Sequence, residues 1–267
     1  MPPGGTKVAD SSSSASSSKK SRRRQKPSAS SPASVMTLSA SATSRIQALY
    51  NLSKNAFVTD RPGILPSPPS EAALSRFLNA VTPQDFGLDA NMPFFRGGPD
   101  GRPTVTYLHF AECPEFTMGI FCLPMSAVIP LHNHPGMTVF SKILLGSMHI
   151  KSYDWVKPQA GAGRQATRTP DGARLAKLKT DAVYDASSET VVLYPEDGGN
   201  LHRFTATAPC AVLDVMGPPY CHEEGRDCSY YRVRAVGSDS DGQHFWLKEV
   251  PDSFVMDYVE LRPKIRK

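Results

Sequence analysis

No apolar run in this chain approaches the roughly 20 residues that a membrane-spanning helix needs, and no secretory signal core stands near its start. Both absences argue against a helical membrane protein and against a signal-bearing secreted one. The cysteines are five (Cys113, Cys122, Cys210, Cys221, Cys228), and no two are spaced as CxxC. An odd number without a secretion signal reads as thiols in a reducing compartment rather than as a disulfide framework. Acids are almost missing from the first 41 positions, where Asp10 stands among 14 serines and seven Lys/Arg. That segment holds +6 of a chain total of +5, which leaves −1 for the remaining 226 residues. The body is therefore close to neutral, and its charge makes no case for nucleic-acid binding.

The same 41 residues hold hardly any large apolar side chains, too few to offset the entropy of ordering them. Residues 1–41 are therefore expected to form a disordered basic tail, and 42–267 the folded domain. Within the tail, Lys19-Lys20-Ser21-Arg22-Arg23-Arg24-Gln25-Lys26 reads as a nuclear-import patch. A solvated charge run without a receptor and an organelle transit peptide are the other readings.

Two short amphipathic helices are expected first. Ile46, Leu49, Tyr50 and Phe57 are roughly helically spaced after Thr43-Ser44, which can cap the start. Leu74, Phe77, Leu78 and Val81 follow i, i+3, i+4, i+7 after Ser70 and stop before Pro83. From about Thr104 the texture changes to short β-branched and aromatic runs separated by Gly, Pro and Asp. Strands are expected at 104–109, 116–123, 126–130, 137–145, 147–155, 177–184, 190–194, 201–206, 211–216, 230–236 and 245–249. Residues 157–174, rich in Gly, Ala and Arg, read as an extended flexible loop. So many short strands, with no internal repeat, point to a sandwich or barrel rather than βαβ units.

Against that background one pattern carries chemistry. In Ile129-Pro130-Leu131-His132-Asn133-His134-Pro135, extended backbone places His132 and His134 on one face, because side chains alternate with period two. His202 opens a later strand, after the turn-rich Tyr194-Pro195-Glu196-Asp197-Gly198-Gly199-Asn200-Leu201. Two near histidines and one distant one suggest a metal ion inside a β-barrel. His109, His149, His222 and His244 lack such company and read as structural. Asp214 interrupts the apolar run Ala211-Val212-Leu213-Asp214-Val215-Met216, where an ionised carboxylate is costly unless it meets a cation, donors or a metal. Alternation sets it opposite Leu213 and Val215, so a solvent-facing Asp214 is the other reading.

Pro130-Leu131-His132-Asn133-His134-Pro135-Gly136-Met137, Gly146-Ser147-Met148-His149-Ile150-Lys151-Ser152-Tyr153-Asp154-Trp155 and Asp214-Val215-Met216-Gly217-Pro218-Pro219-Tyr220 together resemble the plant cysteine oxidases. These are relatives of the cysteamine (2-aminoethanethiol) dioxygenases in the cupin superfamily, and the resemblance runs from about Ile46 to the C-terminus. It implies an all-β, cupin-type double-stranded β-helix (a jelly-roll barrel) with short N-terminal helices. A cupin usually carries a glutamate ligand four or five residues after its second histidine. Thr138 and Val139 stand there, so the resemblance implies a three-histidine Fe(II) site of His132, His134 and His202. Ligand type alone leaves zinc and nickel open.

The resemblance also implies that Asp214 faces inward and orients the substrate's α-ammonium. Tyr220 and Cys228 match positions near the site, and Tyr220 can donate a hydrogen bond to bound oxygen or to substrate. The implied reaction is oxidation by O₂ of an N-terminal cysteine in another protein to its sulfinic acid. In the family the product marks group VII ethylene response factors for arginylation and proteasomal turnover, an oxygen-sensing step. The expected protein is a monomer of nucleus and cytoplasm (or plastid, if the tail is a transit peptide), with no direct nucleic-acid or membrane partner. The rivals are a small-thiol (cysteine or cysteamine) dioxygenase and a non-catalytic metal-binding cupin. Free-cysteine enzymes usually hold the carboxylate with a dedicated arginine, and no inward arginine is recognisable.

Overall fold

The structure is a computed structural model that describes residues 38–98, 101–157, 167–237, 242–261 and 263–266. The basic patch Lys19–Lys26, most of the serine-rich segment and the middle of the expected 157–174 loop lie outside the described residues.

Helix α1 spans Ala40–Ala56 and α2 Pro68–Asn79. Both begin earlier than the sequence suggested. Ser39, not Thr43-Ser44, caps α1 by accepting the Ala42 N–H at 3.0 Å, so the helix starts inside the segment assigned to the tail. Ser67 caps α2, whose first turn then uses Pro68, where a missing N–H costs nothing. In runs with several candidate serines, the packing of Ala42, Ile46, Leu49 and Leu74 decided which one caps.

Twelve strands follow: β1 Thr106–Glu112, β2 Thr117–Leu123, β3 Val128–His132, β4 Thr138–Leu145, β5 Ser147–Trp155, β6 Arg174–Asp185, β7 Val191–Leu193, β8 Leu201–Ala206, β9 Cys210–Gly217, β10 Tyr230–Ala235, β11 His244–Val250 and β12 Asp257–Glu260. One sheet has the order β12-β1-β2-β9-β4-β7, and a second closes on itself as β10-β11-β6-β5-β8-β3. All pairings are antiparallel except β1 with β12. This is the double-stranded β-helix of the cupins, as the resemblance implied.

Alternation explains how the first sheet is used. Leu108, Met118, Ile120, Phe140, Leu213 and Val215 join Ile46, Leu49, Leu74 and Leu78 of the helices in one buried cluster. The helices thus cover the outer face of β1, β2, β9 and β4, and residues of opposite parity turn toward the barrel interior. Asp214 is one of those, 2% exposed, so the solvent-facing reading fails because Leu213 and Val215 face the helices. Strand β6 starts at Arg174, the last residue of the expected loop and three residues before the expected strand start. Strand β12 was not anticipated, since its four residues are mostly exposed and show no alternation.

Candidate metal centre

Strand β3 is irregular where it matters. Val128 pairs with Thr205 and Ile129 with Phe204 of β8, then the register shifts and His132 falls opposite His202. Pro130, which has no N–H to give to the ladder, sits at that shift. The shift brings two histidines from different strands face to face. His134 lies two residues past the end of β3, before the Pro135-Gly136 turn. The third ring is therefore held by something other than the strand.

His132, His134 and His202 converge, with ring centroids 4.7–4.8 Å apart and one ligand atom from each within 4.8 Å of the others. They are 8%, 2% and 2% exposed. Among the described residues this is the one His/Cys/Asp/Glu cluster arranged to hold a metal ion. Burial pulls His132 down to about 4, and burial with the neighbouring His132 pulls His134 down to about 3. His202 is lowered well below its usual value, again by burial first. All three are thus neutral near pH 7, the form that ligates.

The rings are also oriented. The Nδ1 of His132 lies 2.8 Å from the Pro130 carbonyl and that of His134 3.2 Å from the Asn200 carbonyl. A carbonyl can only accept, so each Nδ1 carries the proton and each Nε2 keeps its lone pair for a metal. His202 stacks on Phe204 at 4.2 Å and 15°. A buried set of three neutral imidazoles with no carboxylate among them suits a divalent first-row metal.

A small pocket touches this cluster at His202, lined also by Ser141, Ile150, Ser152, Leu193 and Phe204 among others. Ser141 also donates to Asp214 Oδ1 at 2.5 Å, so the carboxyl group stands one hydrogen bond behind the cavity wall. Burial pushes Asp214 up to about 7, with the Ser141 hydroxyl acting against that rise. Gly199 has a positive φ of 85°, and a Cβ there would lie 2.3 Å from Ser152 Oγ, so the turn before His202 closes against β5 only with glycine.

The PCO_ADO family model matches residues 77–264. The chain belongs to the PCO_ADO family. Plant cysteine oxidase 1 of Arabidopsis thaliana is 52% identical over 190 residues, covering 70% of this chain and 62% of that protein. Plant cysteine oxidase 2 of the same plant is 44% identical over 216 residues, covering 76% and 75%. The 2-aminoethanethiol dioxygenase of Mus musculus is 34% identical over 205 residues, covering 70% and 80%. The match thus spans less than two thirds of the first of these relatives. A cupin superfamily protein from Desulfitobacterium hafniense superposes with a TM-score of 0.30 at 9% identity, over 43% of this chain and 78% of that one. That overlap is too slight to add to the strand order.

The remaining expected site residues of this PCO_ADO chain are distributed as follows. The Tyr220 ring lies 5.9 Å from that of His134, but its hydroxyl donates to the Asn133 carbonyl at 2.9 Å. The hydroxyl is thus within reach of main chain beside the three histidines, and its expected role as a donor to substrate or bound oxygen is left to the Tyr220→Phe test. Cys228 is partly buried beside Tyr220 and Tyr230, and burial pushes its thiol up to about 11. Tyr230 pairs with His132 across β10 and β3, with the rings 6.1 Å apart. The other histidines stay apart: His149 meets Asp181 at 2.7 Å, His222 meets Asp227 at 2.7 Å, and His109 stacks near Tyr258.

Sequence reading missed Ser141, Asp154 and Asn200. Asn200 stands two residues before His202, and that spacing was the one available signal. The partners of all three are main-chain or acidic groups far along the chain.

Proposed function

We propose that the chain is an Fe(II)-dependent thiol dioxygenase that converts the N-terminal cysteine of target proteins to cysteine sulfinic acid with O₂. The observation that carries this reading is the trio of neutral, buried imidazoles in a PCO_ADO chain, beside a cavity that Asp214 backs. His132 and His134 would hold the iron through Nε2, with a ring nitrogen of His202 as the third ligand. When bound, ferrous iron supplies the redox chemistry by which O₂ oxidises a thiolate sulfur. Ser141 keeps the Asp214 carboxyl aimed into the interior. Asp214 would receive the α-ammonium of the substrate and so fix its sulfur relative to the three rings.

The cavity lining supports an N-terminal cysteine over free cysteine. Among the described residues that line it there is no arginine to take a free carboxylate. The 34% identity with 2-aminoethanethiol dioxygenase favours cysteamine as a second substrate, since it too brings an ammonium and no carboxylate. Substrates of the ethylene response factor type, action as a monomer, and residence in nucleus and cytoplasm complete the reading. The basic patch at 19–26 supports the nuclear part, and a plastid location is its alternative.

Purified, iron-loaded protein incubated with N-terminal Cys peptides, free cysteine and cysteamine tests this. Mass spectrometry should show two oxygen atoms added to the peptides, with His202→Ala losing both iron and turnover. Iron at full occupancy with no thiol oxidised would favour a non-catalytic cupin.

A further inference from the structure

His134 is the ligand that no strand holds. His132 closes β3 and orients its ring on Pro130, and His202 lies in β8 opposite it. His134 is secured by one residue 66 positions away. Asn200 Oδ1 accepts the His134 N–H at 3.0 Å, Asn200 Nδ2 donates to the His134 carbonyl at 3.0 Å, and the Asn200 carbonyl takes the His134 Nδ1 proton at 3.2 Å. The same carboxamide nitrogen ties down the Tyr194 carbonyl at 3.0 Å and the Met137 carbonyl at 3.4 Å. Asn200 is 6% exposed, so water is a poor substitute for these contacts. Asn200 is itself held from β5: Asp154 Oδ1 accepts the N–H of Gly199 at 2.8 Å and of Asn200 at 3.2 Å. Lys179 lies 3.9 Å from the other Asp154 oxygen and 2.8 Å from Asp197.

We propose that Asn200 is the positioning residue of the metal centre, fixing both the backbone and the ring of His134, and that Asp154 acts on the metal through Asn200. The inference rests on the reading that the three histidines hold a dication, and it is independent of which thiol is the substrate. Partners that orient a ligand in this way typically account for 10- to 100-fold in metal affinity. A side chain that served only the turn would contribute to folding and leave the metal untouched.

Cobalt(II) is a suitable probe, because its visible absorption reports ligand number and geometry without any turnover. Full-length, metal-free wild type and variants would be titrated with cobalt(II) against a competing chelator. Asn200→Ala keeps the main-chain carbonyl that faces Nδ1 and removes the side-chain bonds to the His134 backbone, so it should weaken binding by about 10-fold, the lower end of that range, and alter the cobalt spectrum. Asp154→Ala should do so in the same direction, while Asp154→Asn, which keeps an acceptor oxygen for the two N–H groups, should stay within about threefold of wild type. Thermal unfolding of each metal-free variant separates this from loss of fold. Unchanged cobalt affinity and spectrum in a folded Asn200→Ala would overturn the proposal. Should Asn200→Ala not fold, equal cobalt affinities in Asp154→Ala and Asp154→Asn would overturn it instead. Wild type that binds no cobalt would remove the metal-centre reading and this inference together. Tight cobalt binding without peptide oxidation by the iron form would remove only the substrate reading.

Discussion

Ser141 and Asp214 face each other across β4 and β9 inside the barrel, joined by a 2.5 Å hydrogen bond from the serine hydroxyl to the carboxyl Oδ1. Asp214 is 2% exposed, so this hydroxyl bond is made away from bulk water. Asp214→Asn keeps the shape and removes the charge. Iron should remain near wild-type occupancy, while turnover of an N-terminal Cys peptide falls at least about tenfold, since a charge-assisted hydrogen bond is worth about 1.5–3 kcal/mol. An N-acetylated Cys peptide should be a poor substrate for the wild type. Steady-state rates with iron content measured on the same samples decide this, and full activity in Asp214→Asn would return the residue to a packing role.

The same carboxyl makes stability depend on pH. Burial pushes Asp214 up to about 7 from an ordinary 3.8, so between those values the unfolded chain gives up a proton that the folded chain keeps. The contribution is fully present below about pH 4 and is lost as pH rises to about 7, at no more than roughly 1.4 kcal/mol per pH unit. A bound cation pulls the carboxyl back down, so the effect belongs to the metal-free, substrate-free protein. Melting temperatures of Asp214→Asn and wild type should diverge in favour of the variant over that window and run parallel above it. A difference that stays constant with pH would contradict the burial of a titrating Asp214.

Tyr220 separates architecture from catalysis. Its hydroxyl reaches the Asn133 carbonyl, and Asn133 in turn accepts the Ser229 N–H at 2.8 Å, so this pair docks the 218–229 segment on the His132–His134 loop. Tyr220→Phe leaves a carbonyl short of a donor, at a cost of roughly 1–3 kcal/mol. Denaturant unfolding should show that loss, with iron content unchanged. Wild-type stability together with a large fall in turnover would restore Tyr220 as a donor to the reacting groups.

The revised start of α1 gives a prediction about truncation. Removing residues 1–37 leaves the Ser39 cap and Leu38, which packs on the core cluster. Removing 1–41 deletes both, together with the first helical residues. The longer deletion should be less stable by about 1 kcal/mol or more, since loss of an N-cap alone costs roughly that. Thermal melts of the two truncations compare them directly, and equal stability would show that the helix start contributes nothing.

What the sequence made legible follows the reach of the signals. Strands such as β2, β4 and β9 announce themselves as short continuous apolar runs because both of their faces are buried, and Asp214 stood out as the carboxylate that interrupts such a run. Which side of the strand was the interior depended on α1 and α2 covering Leu213 and Val215, a tertiary fact that no local pattern contains. His132 and His134 stood out by spacing, and His202 by the turn before it. Asn200 and Asp154 did not, because their work is done on main-chain groups 66 and 45 residues away. Polar residues in a Gly-rich turn look alike until the partner is known. The short β12 escaped notice because its four residues are mostly exposed and show no alternation.

The central claim is that a three-histidine centre delivers both atoms of O₂ to the sulfur of an N-terminal cysteine. The most direct measurement is mass spectrometry of an N-terminal Cys peptide after incubation with iron-loaded protein under ¹⁸O₂ in ordinary water. The account predicts a sulfinic acid in which both added oxygens carry the label, and no product with His202→Ala. A peptide that stays unoxidised at full iron occupancy, or a product whose added oxygens come from water, would contradict it.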